Sequence, residues 1–237
     1  MKKIKTLGII TMAVLFLVIA ALAIFGFINL RNAPENENEI TFEPLENKNP
    51  DYEWQISKTE GDAAALIKTD LGDILIKLGD CAAAEKFLEL CNEGTFANAE
   101  FVTLAENMFI QTGVCGESFY LEQSGYLPIN GAAAFVMDGE KAAPSIVIIN
   151  AKELSGTSKA FVSESGFEKE KASLYEKFGG MPEYEGKIIV FGMVVSGTET
   201  VETIGKKENS GYTGGYSAAE PIKINSVEIS LPNEPLE

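Results

Sequence analysis

FVTLAENMFIQTG, residues 101–113, decides how this chain is read. Two short apolar runs, FVTLA and MFIQTG, flank the polar pair Glu106-Asn107. Runs of this length about a tight polar break predict two adjacent strands joined by a turn. Phe, Val, Thr and Ile suit a pleated, half-buried surface. Gln111 is the strongly polar side chain of the second run, and burial would oblige it to find hydrogen-bond partners.

Working outward, the same kind of pattern recurs on both sides. AALIKTD and DILIKLG alternate around Asp70-Leu71-Gly72, a hairpin signal with glycine where positive φ is cheap. Ala82 to Glu93 carries Phe87, Leu88, Leu90 and Cys91 among helix formers, and Gly94 supplies a stop. AAAFVMD and SIVIIN read as further buried strands, and KIIVFGMVV as a strongly β-branched one. Lys159 to about Gly180 is charged, with a short helix candidate at Lys169 to Phe178. Thr198 to Lys206 is a helix candidate with Val201 and Ile204 on one face. Pro221 to Ser230 closes the domain as an alternating strand, and the tail from 232 to 237 lacks pattern. The total is about eight short strands with two principal helices, a mainly β domain. Hairpin connections between that many strands favour a closed antiparallel barrel, which leaves no edge exposed.

The N-terminus has a different composition. Met1 to Lys5 holds three lysines, and residues 7 to 30 carry no charge. As a helix that run spans about 36 Å, enough to cross a hydrocarbon core of about 30 Å with some tilt. A transmembrane signal-anchor over 7–30 follows, with residues 1–6 in the cytoplasm and the rest across the membrane. The rival reading is a signal peptide cleaved near Ala23 and a secreted domain; IFGFINL, which continues the apolar run past that point, favours the anchor. Residues 31–60 are rich in Asn, Glu and Pro and read as an acidic disordered linker. Trp54, the sole tryptophan, is read as packing the linker's end onto the domain at 61–231.

Composition excludes several classes of function. The net charge is −16, with no basic run beyond the N-terminus, so nucleic-acid binding, which depends on Lys and Arg at phosphates, is not expected. The chain has no histidine, which removes the commonest general base and transition-metal ligand. No metal and no cofactor are expected. No nucleophile elbow suggests a hydrolase. Cys81 and Cys91, at the two ends of one helix, would lie about 15 Å apart, too far to bridge. Cys115 could pair with either in an oxidising compartment; the favoured reading is three small buried hydrophobes.

The opening stretch resembles the signature of the cyclophilins, peptidyl-prolyl cis-trans isomerases, written F-H-R-V-I-x-x-F-M-I-Q-G-G. KTDLGDILIKL is similar to that family's opening hairpin, and EKFLELCNEGTF to its first helix. AFVMD and APSIVIIN resemble its L-S-M-A-N and G-S-Q-F-F-I-T strands. EYEGKIIVFGMVVSGTETVETIGK resembles L-D-G-x-x-T-V-F-G-x-V-x-x-G-M-D-V-V-D-K-I. LYEKFGGMPEYEGK looks like the bacterial, exported variety.

The resemblance implies an eight-stranded barrel that rotates X-Pro amides without cofactor. An arginine bonds to the twisted amide nitrogen while an apolar pocket grips the proline ring. By the same matching, Thr103 stands at the arginine position and Gln111 is retained. The implied substrate contacts are Phe101, Met108, Phe109, Met137, Asp138, Ile148, Tyr184 and Ile188. Implied partners are proline-containing segments of exported proteins, met by a monomeric domain held to the membrane through its N-terminal helix. Three functions are open, the first two being an extracytoplasmic isomerase, weakened by the loss of the arginine, and an inactive proline-peptide binding, chaperone or scaffold module of the cell envelope. A structural role in an envelope complex, with no groove in use, is a third.

Overall fold

The computed structural model describes residues 50–57 and 63–231. The expected membrane segment at 7–30, most of the expected linker and the tail lie outside these residues. Among the described residues no helix is long and apolar enough to cross a membrane.

Part of the stretch read as linker is packed structure. Helix α1 (Tyr52–Ile56) is capped by Asp51, whose Oδ1 accepts from Trp54 N at 2.8 Å. Gln55 is buried, and its amide both donates to Leu127 O (2.6 Å) and accepts from Leu127 N (3.1 Å). Trp54 packs on Tyr126 with ring centroids 5.0 Å apart, the linker-end packing expected of it.

Strands β1 (Ala64–Thr69) and β2 (Gly72–Leu78) form the expected hairpin, with Thr69 opposite Gly72 across Asp70-Leu71. Gly72 sits at φ 127°, a conformation that glycine adopts without steric penalty. Helix α2 (Ala82–Asn92) buries Ala83, Ala84, Phe87 and Leu90, one face of a 3.6-residue period. Phe87 stacks on Phe191 at 4.3 Å, and Phe135 lies 4.9 Å from Phe191, so α2 joins the barrel core through aromatic rings.

The deciding stretch forms β3 (Glu100–Ala105) and β4 (Phe109–Thr112), turning through Asn107 at φ 58°. Next come β5 (Ala132–Asp138), β6 (Lys141–Ile149), α3 (Gly156–Glu164), α4 (Lys169–Phe178), β7 (Ile188–Ser196), α5 (Thr198–Gly205) and β8 (Ser217–Ser230). The strands close in the order β1-β2-β7-β5-β6-β4-β3-β8, with every pair antiparallel. The closed eight-stranded antiparallel barrel is therefore the architecture. On α5 the expected pair, Val201 and Ile204, is buried.

Three features depart from the sequence pattern. Helix α3 has no sequence counterpart: Ser158 is its one buried residue, and it starts on a side-chain cap, Ser158 N to Ser155 Oγ at 3.0 Å. Strand β8 begins four residues before Pro221; the proline is tolerated because the β3–β8 register shifts between its Phe101–Ile222 and Thr103–Ser217 pairs. Strand β6 likewise runs through Pro144, within a register shift against β5. The three cysteines are free thiols that pack against the apolar core, half-buried where the sequence reading had them buried.

Candidate active site

Register across three strands builds one wall of the site. Gln111 on β4 lies directly opposite Thr103 on β3 and Val147 on β6, so the three side chains share a face. Two residues along, on the same face, Phe109 lies opposite Ala105 and Ile149. The alternate residues turn to the other face: Leu104, Ile110, Ile148 and Ala133 form a row of opposed pairs, all fully buried inside the barrel.

A second wall comes from the segment between α4 and β7. A short 3₁₀ turn, Pro182–Tyr184, leads to Gly186 and into β7. Its backbone is pinned along its length: Gly180 N donates to Ala151 O (2.7 Å), Met181 N to Pro128 O (2.9 Å), and Met137 N to Lys187 O (2.9 Å). From behind, the buried Tyr175 hydroxyl donates to Glu185 Oε1 at 2.7 Å, and Lys171 pairs with Glu185 Oε2 at 3.5 Å. Burial, reinforced by that carboxylate, raises the Tyr175 hydroxyl far above its ordinary value, so it stays a neutral donor.

Between the walls lies a cavity of about 450 Å³ lined by Phe109, Gln111, Val136, Met137, Gly139, Val147, Ile149, Tyr184, Gly186, Lys187 and Ile188. It is apolar with few polar groups, the usual character of a small-ligand site. Phe109 and Tyr184 meet at 6.1 Å, and Lys187 Nζ lies 5.6 Å from the Tyr184 ring centre. Burial, then the neighbouring Glu183 carboxylate and Tyr216 phenol, raise the Tyr184 hydroxyl above its ordinary value. The Tyr184 phenol is thus a neutral hydrogen-bonding group at neutral pH, and it shares the cavity with the Gln111 amide and the Lys187 side chain.

Of the residues singled out in the sequence, the structure brings Phe109, Gln111, Met137, Tyr184 and Ile188 together in this cavity. Thr103 is half-buried beside Gln111, outside the cavity lining. Met108 sits in the β3–β4 turn and packs against the second apolar cluster; Asp138 is exposed at the end of β5. Phe101 and Ile148 do not reach the cavity: both are fully buried in the barrel core. For Ile148 the reason is parity. Its neighbours Val147 and Ile149 face the cavity, and in a strand a shift of one residue exchanges the faces.

Two solved structures of the Cryptosporidium parvum cyclophilin type peptidyl-prolyl cis-trans isomerase resemble the chain. One has 17% identity and a TM-score of 0.51, covering 71% of this chain and 97% of that one. The other, solved in the presence of the dipeptide Ala-Pro, also has 17% identity and a TM-score of 0.51, covering 70% and 98%. At that identity the likeness is one of fold. Among curated proteins, none matches the sequence. The profile of the family described as cyclophilin type peptidyl-prolyl cis-trans isomerase/CLD matches residues 64–229. The chain belongs to this family.

Several cavity residues of this cyclophilin-type domain were not singled out from sequence: Val136, Val147, Ile149 and Lys187. The three aliphatic ones belong to strands apolar on both faces, so alternation gives no sign of which side chain turns outward. Lys187 carried a signal, since EGK lies within the family-like block that starts at Glu183, but a lone lysine in a turn reads as solvated.

Proposed function

We propose that this cyclophilin-type domain binds X-Pro segments of exported proteins in the Phe109–Ile188 cavity and isomerises them slowly. The observation that carries the reading is the cavity itself, apolar, with the Gln111 amide and the Tyr184 phenol on its walls. Supporting it, a relative of the same fold was crystallised in the presence of Ala-Pro. Rotation about the X-Pro amide needs no bond to form or break, so a cavity that favours the twisted amide suffices. Motif matching puts Thr103 where the family carries arginine. A threonine hydroxyl is shorter and neutral. Loss of a charge-assisted hydrogen bond costs about 1.5–3 kcal/mol, roughly ten- to a hundredfold in rate. The uncharged run at 7–30 supports a membrane-anchored domain at 61–231 facing the extracytoplasmic side.

The test is exchange spectroscopy on a peptide with a central Ala-Pro bond, using the full chain in detergent. The wild type is expected to accelerate cis–trans exchange, and Ile188→Asp, which puts a charge in the cavity, to abolish both acceleration and binding. Binding without acceleration would make the domain a proline-peptide binding module, the reading that the short Thr103 side chain favours. No interaction at all would defeat the cavity reading.

A further inference from the structure

The β3–β8 ladder places something unusual beside Thr103. Thr103 pairs with Gln111 on one side and with Ser217 on the other. The residue before Ser217 is Tyr216, whose carbonyl accepts from Leu104 N at 2.9 Å. Tyr216 stands at φ 58°, a left-handed conformation that is an outlier for a bulky residue. Backbone strain of this kind persists only where its surroundings enforce it.

They do so here. Tyr216 N donates to Gly211 O (2.9 Å), Gly215 N to Tyr212 O (3.1 Å), and Ser217 N to Ser210 Oγ (2.9 Å). Ser210 Oγ and Ser217 Oγ both donate to Gly214 O, at 2.8 and 3.1 Å. The loop is a closed set of hydrogen bonds, and it presents two aromatic rings. Tyr212 is 82% exposed, and its ring meets Tyr216 edge-on at 6.1 Å. Ser217, which follows Tyr216, pairs with Thr103, and Thr103 pairs with the cavity residue Gln111, so the loop lies two strands from the cavity on the Thr103 side.

We infer that Tyr212 and Tyr216 form a second peptide-contact site, walling the groove on the Thr103 side and gripping the chain that flanks the X-Pro bond. This rests on the cavity reading above. The ligand it fits is an extended, uncharged stretch of polypeptide. Rigid tyrosines offer large contact area at low entropic cost, and their hydroxyls reach backbone carbonyls.

The test compares two probes on the full chain: the dipeptide Ala-Pro, followed by NMR shifts, and a fluorescein-labelled octapeptide with a central Ala-Pro, followed by polarisation. Tyr216→Asn keeps a residue that tolerates left-handed backbone, and Tyr212→Ser removes the exposed ring. Octapeptide affinity should fall about tenfold in the first and about threefold in the second, with dipeptide affinity within twofold of wild type. Unchanged octapeptide affinity in both, with binding still abolished by Ile188→Asp, would overturn this inference and leave the cavity reading standing. Equal losses for both probes would overturn it too, by placing the tyrosines in the cavity proper. A wild type that binds neither probe would overturn both readings. Should Tyr216→Asn fail to fold, intermolecular NOEs in the wild type decide. Contacts from the octapeptide to the Tyr212 and Tyr216 rings support the site; contacts to Phe109 alone refute it.

Discussion

Lys77, a lysine 2% exposed in the wall of a β-barrel, is held by the residues that precede the barrel: its Nζ donates to Trp54 O and lies 4.3 Å from the centre of the Trp54 ring. It also donates to Ser57 O at 2.6 Å and Ser57 Oγ at 3.3 Å. A buried cation persists only with such partners. The barrel and the residues leading into it are therefore one packed body through β2 and α1.

Lys77→Met should test this directly. Methionine keeps most of the side-chain volume but removes a buried donor from the Trp54 and Ser57 carbonyls. We expect a loss of about 1–3 kcal/mol in stability and partial release of residues 50–57. Trp54 is the sole tryptophan, so its emission reports the release without labelling. A red shift at low urea, before the main transition, is the expected result. An unshifted spectrum with unchanged stability would show that Lys77 does not anchor the segment.

The same pair shows what the sequence could and could not disclose. Helices α2 and α5 were legible because each writes its burial as a period of apolar residues, such as Ala83, Phe87 and Leu90 on α2, and the barrel strands because they are alternating or continuous apolar runs. Helix α1 is too short to carry a period, and its docking depends on polar groups, Gln55 and Lys77, that composition reads as exposed. Helix α3 depends on the Ser155 cap and a Ser158–Glu183 hydrogen bond of 3.2 Å, again without an apolar stripe. In the site, Phe109, Gln111 and Tyr184 could be reached because they sit in motifs with unmistakable spacing. On β6 the run SIVII is apolar on both faces, so nothing local told Ile148 from Val147.

Alkaline pH should weaken the fold through its buried acids. Burial pushes Cys81 up to about 11 and Cys91 to about 12, from an ordinary 9.0, and raises Tyr175 well above 10.0. Below pH 9 both folded and unfolded chains keep these protons. Above it the unfolded chain loses its thiol protons, and then its phenol protons, before the folded one does. The folded state binds more protons there, so stability falls as pH rises. Urea midpoints at pH 7, 8, 9, 10 and 11 should be flat to about 8 and then decline. Cys91→Val, which keeps an apolar side chain without the ionisable proton, should make the decline shallower. A constant midpoint up to pH 11 would contradict the burial of these groups.

Gly180 is where the wall segment meets the barrel. It stands at φ 115°, and a Cβ there would collide with the Pro128 carbonyl and lie 2.5 Å from Ile129 Cα. Gly180→Ala therefore adds backbone strain to a backbone clash. A destabilisation of about 3 kcal/mol is expected. Because Met181 N bonds to Pro128 O next door, the displacement should pass to Tyr184 and the cavity. Thermal unfolding measures the first effect, and Ala-Pro shift perturbation the second. An alanine variant as stable as wild type would mean that the segment can shift freely, and the wall would not be the rigid element inferred from its hydrogen bonds.

Thr103→Arg asks whether the proposed isomerisation is slow only because one side chain is short. Thr103 faces the same side as Gln111, directly across the ladder, so a longer residue at 103 extends along the face that leads into the cavity. An arginine brings a guanidinium whose donors suit a developing lone pair on nitrogen. Its charge is tolerable on a chain of net −16. Cis–trans exchange at saturating Ala-Pro peptide should rise about tenfold or more, with affinity within about threefold of wild type, because the added contact matters chiefly to the twisted amide. A matching rise in affinity alone would make the new contact a ground-state one. A folded variant with wild-type exchange would mean that the cavity does not hold the X-Pro bond within reach of residue 103, and the isomerase assignment for this cavity would be lost even if peptides bind there.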